Sequence, residues 1–280
     1  MNYSKDGYKQ FFANKNANNN KLVFKPVSND DVLKIISSLK PKSSSGFDGI
    51  STKLLQSAKS TLCAPITKLI NQCIDQNVFP DPLKIAKVVP VYKKDSKHEL
   101  SNYRPISLLP SLSKIFEKVI SIQITDFFIS NDLFSDSQYG YRAKHSTVHA
   151  AIEMTEKLYE LIKDGKVPLS IFLDLSKAFD TLDYEVLLWK LSFYGIRDDA
   201  LLLISSYLSN RQQFVEFNGI QSKCLPLTIG VPQGSILGPL LFIIYTNDIS
   251  AASKLFNYIM YADDTSLIST PELLDLLKLM

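Results

Sequence analysis

The sequence predicts an α/β (α+β) fold, and three observations carry that expectation. Apolar residues recur at helical spacing through several long stretches. Short strand-like runs lie between them, among them the nearly all-apolar Leu169–Leu173. Phe214-Val215-Glu216-Phe217 alternates just ahead of Asn218-Gly219, a strong hairpin dipeptide. The chain has 280 residues, 45% of them hydrophobic and 21% charged, which is the balance of a globular protein and not of a disordered one. That length suits one large domain or two intimate subdomains.

Taken in order, residues 1–20 are expected to be poorly ordered, because 13–20 are polar and low in complexity. Order is expected from about Leu22. Ser28 and Asn29 are N-cap candidates for a helix bearing Val32, Leu33, Ile35, Ile36 and Leu39, which Pro41 and the Ser43–Gly46 run stop. Helices are expected over about 51–62 and 65–77, a strand over 85–92, and then a polar loop to Tyr103-Arg104-Pro105. A long helix follows over about 112–129, and another runs from Ser146, its N-cap, to Lys163. Beyond Gly165, Leu169–Leu173 reads as a buried strand ending at Asp174. Helices at about 183–194, 198–208 and 236–246 frame the Asn218-Gly219 hairpin. Tyr258–Ile268 reads as two short strands about a turn carrying Asp263 and Asp264, and one sheet is expected to hold the strands near 171 and 260.

The net charge of +3 is too mild to mark a nucleic-acid binder, so any basic face is local. Between residues 81 and 118, eight Lys and Arg stand against four Asp and Glu, a local +4 that exceeds the whole-chain value and suits an anionic ligand. Cys63, Cys73 and Cys224 form no CxxC pair, which excludes a disulfide scaffold or a four-thiolate zinc site and fits a reducing compartment. The N-terminus lacks a signal-peptide stretch. The most apolar segment, Leu240–Tyr245, falls far short of the ~20 residues that span a bilayer, so neither a membrane nor a secreted protein is expected.

Asp174 closes one apolar strand, and Asp263-Asp264 interrupt another. Taking carboxylates out of water is costly unless something cationic pairs with them. If the two strands adjoin, the acids converge into an oxygen-rich pocket suited to magnesium, which takes hard oxygen ligands. Two such ions roughly 3.5–4 Å apart can activate an attacking hydroxyl and stabilise a leaving phosphate. Spacing alone leaves open a solvated hairpin turn with Asp174 as a strand-end cap. His145 and His149 are four apart without a third ligand, and Ser43–Gly46 lacks the order of a P-loop and reads as a connecting loop. Asp180 and Asp183 read as caps of the helix that follows.

Ile171–Asp180 (Ile-Phe-Leu-Asp-Leu-Ser-Lys-Ala-Phe-Asp), Gly230–Pro239 (Gly-Val-Pro-Gln-Gly-Ser-Ile-Leu-Gly-Pro) and Tyr261-Ala262-Asp263-Asp264 occur in this order. Together they resemble three core motifs of reverse transcriptases of non-LTR retrotransposons. Asn102–Leu109 resembles the fingers motif of that group, and Ser45–Ser51 and Gln138–Thr147 resemble its extra N-terminal motifs. The resemblance runs from about residue 40 to 268. It implies a right-hand polymerase fold of fingers and palm, with an antiparallel palm sheet packed on helices. Residues 21–164 would hold an N-terminal extension and the fingers, 165–280 a truncated palm, and about 74–280 the reverse transcriptase domain.

The implied activity is RNA-directed DNA polymerisation, adding deoxynucleotides to a primer 3′-hydroxyl with two Mg²⁺ ions. RNA template, DNA primer and deoxynucleoside triphosphates would be its partners, in the nucleus or cytoplasm. Asp174 and Asp263 match the family's metal-binding acids, Asp264 its second paired acid, and the Leu175 carbonyl would complete one metal's ligands. Lys93 or Lys94, with Arg104, matches contacts to the incoming triphosphate. Phe179 matches a ring under the sugar that would clash with a 2′-hydroxyl; an ordinary core Phe is its alternative. Gln233 would lie near the template base and nucleotide, and Gly234 would let backbone approach closely. The resemblance also implies a further palm motif, a primer-gripping hairpin and a thumb, which the 12 residues after Ile268 cannot hold. Leu273, Leu274, Leu276, Leu277 and Leu279 read as a short apolar helix there. Weak primer–template binding, with short products or none, is expected for such a chain, and the rival function is a polymerase-derived fragment that binds RNA without catalysis.

Overall fold

The structure, a computed structural model describing residues 7–13, 17–175 and 177–270, alternates helices and short strands. Helices α1 (Gly7–Phe12), α2 (Asn29–Ser38), α3 (Thr52–Ser57) and α4 (Lys59–Asp75) precede strands β1 (Ile85–Tyr92) and β2 (Tyr103–Leu108). Helices α5 (Ser111–Ser130) and α6 (Thr147–Lys163) lead to β3 (Leu169–Leu173). Then come α7 (Tyr184–Phe193), α8 (Asp198–Leu208), β4 (Gln212–Phe217), β5 (Ile220–Gln221), β6 (Leu225–Pro226) and α9 (Leu237–Tyr245). The hairpin of β7 (Asn257–Tyr261) and β8 (Asp264–Ser269) follows. This is the mixed α/β class read from the sequence. The helix expected around Leu273–Leu279 lies outside the described residues.

Two compact units emerge, one made of the described residues up to Asn131 with Phe179–Gly238, the other of Asp132–Ala178 with those from Pro239 on. In the first unit the sheet order is β2-β1-β4-β5, with β6 also pairing β4. β1 runs antiparallel to β2 and parallel to β4. β2 takes in Tyr103-Arg104-Pro105, up to which a polar loop was expected, and so places a proline inside a strand. The register explains its tolerance. Pro105 faces Pro90, and two prolines with no N–H fit only a pair that exchanges no hydrogen bonds. The other edge of β1 pairs β4 only over Ile85–Val88, so Pro90 owes no N–H there either. Asn218 and Gly219 both take positive φ (50° and 79°), the dihedral requirement of a type I′ turn joining β4 to β5.

Ser28 caps α2 through a reciprocal capping box with Asp31, and Val32, Ile35 and Ile36 are buried. α5 drives Ile115, Phe116, Val119, Ile120, Ile124 and Phe128 into the core, where Phe79 meets Phe116 and Tyr207 edge-on. Two elements differ from their expected limits. The break between the third and fourth helices falls at Ala58, and Pro65 sits inside α4, where it forfeits one helical N–H bond among buried Cys63, Ile66 and Ile70. In the N-terminal stretch expected to lack order, α1 is instead a short helix whose Phe12 ring is buried against Trp189 and Phe193.

The second unit holds an antiparallel sheet of order β3-β8-β7. The strands near 171 and 260 do share it, though β3 pairs with β8 and not with β7. β3 is not the buried strand its composition suggested: it forms the sheet edge, with Phe172 68% and Leu173 42% exposed. α6 begins where Ser146 Oγ accepts from the His149 N–H and lies against β7. Among the described residues no helix is long and apolar enough to cross a membrane.

Candidate functional site

β7 and β8 are joined by the two-residue turn Ala262-Asp263, because Tyr261 and Asp264 form the last pair of the hairpin. Leu173, the last residue of β3, lies opposite Thr265 of β8. Asp174 therefore follows at the sheet end where Asp263 and Asp264 sit, as the two-strand convergence argument anticipated. The buried pocket expected there is instead an open edge. Asp174 and Asp264 are exposed and Asp263 is half-buried, because β3 borders the sheet and leaves its own end uncovered. Leu175, directly after Asp174, is 39% exposed.

Among the described residues none of the three aspartates makes a side-chain hydrogen bond or ion pair. No group of three or more His, Cys, Asp or Glu side chains among those residues is gathered closely enough to hold a metal ion. The three acids share a sheet end without forming a closed cage. The donor set is nonetheless all oxygen and unneutralised, which fits a hard cation that takes one or two carboxylates and draws its remaining ligands from substrate phosphate and water. The negative charge is felt locally: burial first, and then Asp263, pushes the Tyr141 phenol up.

In the first unit, a second group of predicted residues is tied together by backbone. The Val231 N–H donates to the Phe179 carbonyl (2.8 Å), the Gly230 N–H to the Leu182 carbonyl (2.8 Å), and the Tyr184 hydroxyl to the Gly230 carbonyl (2.6 Å). Ser107 of β2 donates its N–H to the Gln233 carbonyl at 2.8 Å. Gly234, at φ 138°, packs so closely on the Ser107 carbonyl that a Cβ would collide with it. The segment around Phe179, the loop 230–234 and β2 thus border a cavity of about 250 Å³ lined in part by Pro105, Ser107, Asp180 and Gln233. Phe179 itself is half-buried in the turn Ala178–Asp180.

Asp180 does not cap the helix that follows it. Asp183 alone caps α7, accepting from the Glu185 and Val186 N–H groups, while Asp180 Oδ1 accepts from Gln233 Nε2 at 3.0 Å. Glu117 is the residue that sequence reasoning missed. It is fully buried, and its Oε2 accepts from the Ile236 and Leu237 N–H groups (2.6 and 3.0 Å) at the start of α9. The Ser113 hydroxyl donates to Oε1 at 2.9 Å. Burial pushes the Glu117 carboxyl up, against Arg211 and these hydrogen bonds, which pull it down. On a helix of apolar period a lone Glu reads as surface, and nothing in its neighbourhood signals a partner so distant in the chain.

The basic residues are not on the cavity. Lys93, Lys94 and Arg104 are all exposed. Arg104 pairs with Val91, and strand alternation puts it on the face of β2 opposite Pro105 and Ser107. Lys93 follows Tyr92 at the same end of the β1–β2 ladder, its N–H bonded to the Asn102 carbonyl. Lys94 meets Asp95 at 4.0 Å.

The chain belongs to the reverse transcriptase (RNA-dependent DNA polymerase) family, which it matches over residues 91–278. Its relatives come from mobile elements of the non-LTR kind that the motifs resemble. It is 29% identical over 261 residues to the probable RNA-directed DNA polymerase from transposon BS of Drosophila melanogaster, covering 88% of this chain and 28% of that protein. The corresponding protein of the X-element is 31% identical over 210 residues (72% and 22%), and that of mobile element jockey 26% over 251 (87% and 27%), both from Drosophila melanogaster. The chain spans about a quarter of the length of these relatives.

Proposed function

We propose that the chain carries the active site of an RNA-directed DNA polymerase of a non-LTR retrotransposon, which adds deoxynucleotides to a primer 3′-hydroxyl. The observation that supports this best is the sheet end bearing Asp174, Asp263 and Asp264. These carboxylates have no protein partner among the described residues, and they occur in motifs that stand in the family's order. On this reading Asp174, Asp263, the Leu175 carbonyl and, in support, Asp264 would hold magnesium. The chemistry that two ions held there would supply is activation of the attacking hydroxyl and stabilisation of the leaving pyrophosphate.

The chain's own residues do the rest. Exposed Arg104, with Lys93 or Lys94, supplies cationic donors for the triphosphate, Arg as a planar bidentate fork. Gln233, fixed by Asp180 and Ser107, faces the nucleotide and template, and Gly234 keeps that backbone approach free of a side chain. Phe179 excludes the ribose 2′-hydroxyl. The three-stranded sheet belongs to the palm, with 165–280 as palm and 21–164 as extension and fingers in a right-hand arrangement.

The test is extension of oligo(dT) on poly(rA) by this chain, with Mg²⁺ and with the ion chelated. Thymidylate addition that disappears on chelation is expected. No addition under either condition, with RNA still bound, would support the non-catalytic RNA-binding fragment instead.

A further inference from the structure

We propose that Gln138 is a positioning residue for the aspartate-bearing turn. Its buried carboxamide takes up the backbone hydrogen bonds of Ala262 and so fixes where Asp263 projects. This rests on the reading above, in which Asp263 is a metal ligand. The turn needs such support. Ala262 stands at φ 59°, a left-handed conformation that an L side chain adopts only when its surroundings over-determine it.

Gln138 supplies that determination. It is 1% exposed. Its Oε1 accepts from the Ala262 N–H at 3.0 Å and from the Gly140 N–H at 2.8 Å, while its Nε2 donates to the Ala262 carbonyl at 3.4 Å. The carboxamide behaves as an extra peptide group docked on the turn, addressing both polar groups of the residue just before Asp263. The backbone on either side is bonded to the preceding strand: the Met260 N–H donates to the Ser137 carbonyl (2.7 Å) and the Tyr139 N–H to the Met260 carbonyl (2.8 Å). Gly140 permits the approach, since a Cβ there would collide with the Ala262 nitrogen.

The segment carrying Gln138 is itself anchored. Asn247 donates to the Leu133 carbonyl at 2.7 Å and accepts from the Ser135 N–H at 2.8 Å. The Arg142 guanidinium donates to the carbonyls of Ser135 (2.7 Å) and Gln138 (3.1 Å). A ligand carried on a turn held in this way keeps its geometry without being tied up itself, since these supporting bonds go to backbone and not to the Asp263 carboxylate.

Manganese(II) is the probe, because its paramagnetism broadens the NMR signals of nearby amides without any catalysis. In the parent chain it should broaden the amides around Asp174 and Asp263, and Asp263→Asn should abolish this. Gln138→Met keeps the length of the side chain and removes its hydrogen bonds. It should leave amide protection in β1 and β2 intact, open the Ala262 amide to fast exchange, and raise the Mn²⁺ concentration for half-broadening by about 10–100-fold, the range for groups that orient metal ligands. Gln138→Glu keeps both acceptor bonds and should recover most of that loss. An opened Ala262 amide with an unchanged Mn²⁺ requirement would overturn the proposal and leave the metal reading standing. A parent chain with no Mn²⁺ response, or one insensitive to Asp263→Asn, would overturn the metal reading and the proposal with it. Should Gln138→Met lose protection in β1 and β2, Gln138→Glu carries the test. Protonating that carboxyl restores the donor to the Ala262 carbonyl and should lower its Mn²⁺ requirement relative to the parent at the same pH. A constant ratio would overturn the proposal.

Discussion

Glu117 in the first unit and Asp174, Asp263 and Asp264 in the second are the same chemical group under opposite treatment. Glu117 is fully buried, and its oxygens accept two backbone N–H groups and a hydroxyl, all three from inside the fold. The aspartates sit at the open end of a sheet and have no partner among the described residues. A carboxylate with every bond satisfied internally is structural, since it closes the first turn of a helix that would otherwise leave orphan donors. One left without a partner costs little where water reaches it and remains available to a ligand. Availability, and not burial, is what distinguishes the acids proposed here to do chemistry.

The exposed acids carry the largest expected effects. Asp174→Asn and Asp263→Asn should each lower primer extension by about three orders of magnitude or more while thermal unfolding stays where it was; activity within tenfold of the parent would remove the metal assignment. Glu117→Ala should do the reverse. It strands three buried donors at about 1–3 kcal/mol each, so denaturant unfolding should show a loss of several kcal/mol. A loss of under about 1 kcal/mol would mean that water replaces the carboxylate and that the two sites are not opposites after all.

Two smaller effects sharpen the contrast. Phe179→Val should raise ribonucleotide over deoxynucleotide incorporation by roughly tenfold, read as a ratio of kcat/KM values on one template; an unchanged ratio would make Phe179 a core residue. The smallest effect is a pH dependence. Because burial raises the Glu117 carboxyl, the folded chain holds that proton more tightly than the unfolded chain does. Its contribution is full below the ordinary Glu range and is lost as pH rises through the raised value. Unfolding free energy of the parent should therefore fall over that interval relative to Glu117→Gln, whose amide does not titrate, and a difference constant with pH would contradict the shift.

What was legible in the sequence was local. The limits of β1, β3 and α6, the capping of α2 by Ser28 and the turn at Asn218-Gly219 rest on neighbours within a few residues, and the structure agrees with each. The turn expected to carry both Asp263 and Asp264 carries Asp263 alone, because Asp264 pairs with Tyr261 as the first residue of β8. That the three acids share a sheet end was legible because Asp174 directly follows β3 and Asp263 lies in the β7–β8 turn. Features set by distant partners were not legible. Pro105 lies in a strand because Pro90 happens to face it, and β1 pairs in parallel with β4 across more than a hundred residues. Glu117 finds its acceptor role 119 residues away. The role of Asp180 is set by Gln233, 53 residues downstream. The exposure of β3 is a property of its place at the sheet edge, which composition does not encode.

The most direct measurement is a metal-specificity switch at Asp263. Asp263→Cys replaces a hard oxygen ligand with a soft thiolate, which disfavours magnesium and favours a thiophilic ion such as cadmium. Thymidylate addition on poly(rA)/oligo(dT) should be lost in Mg²⁺ and partly restored when Cd²⁺ is added, while the parent gains nothing from that addition. Activity of Asp263→Cys in Mg²⁺ equal to that of the parent, or a loss that no thiophilic ion restores while Asp263→Asn stays active, would contradict a metal held by this carboxylate.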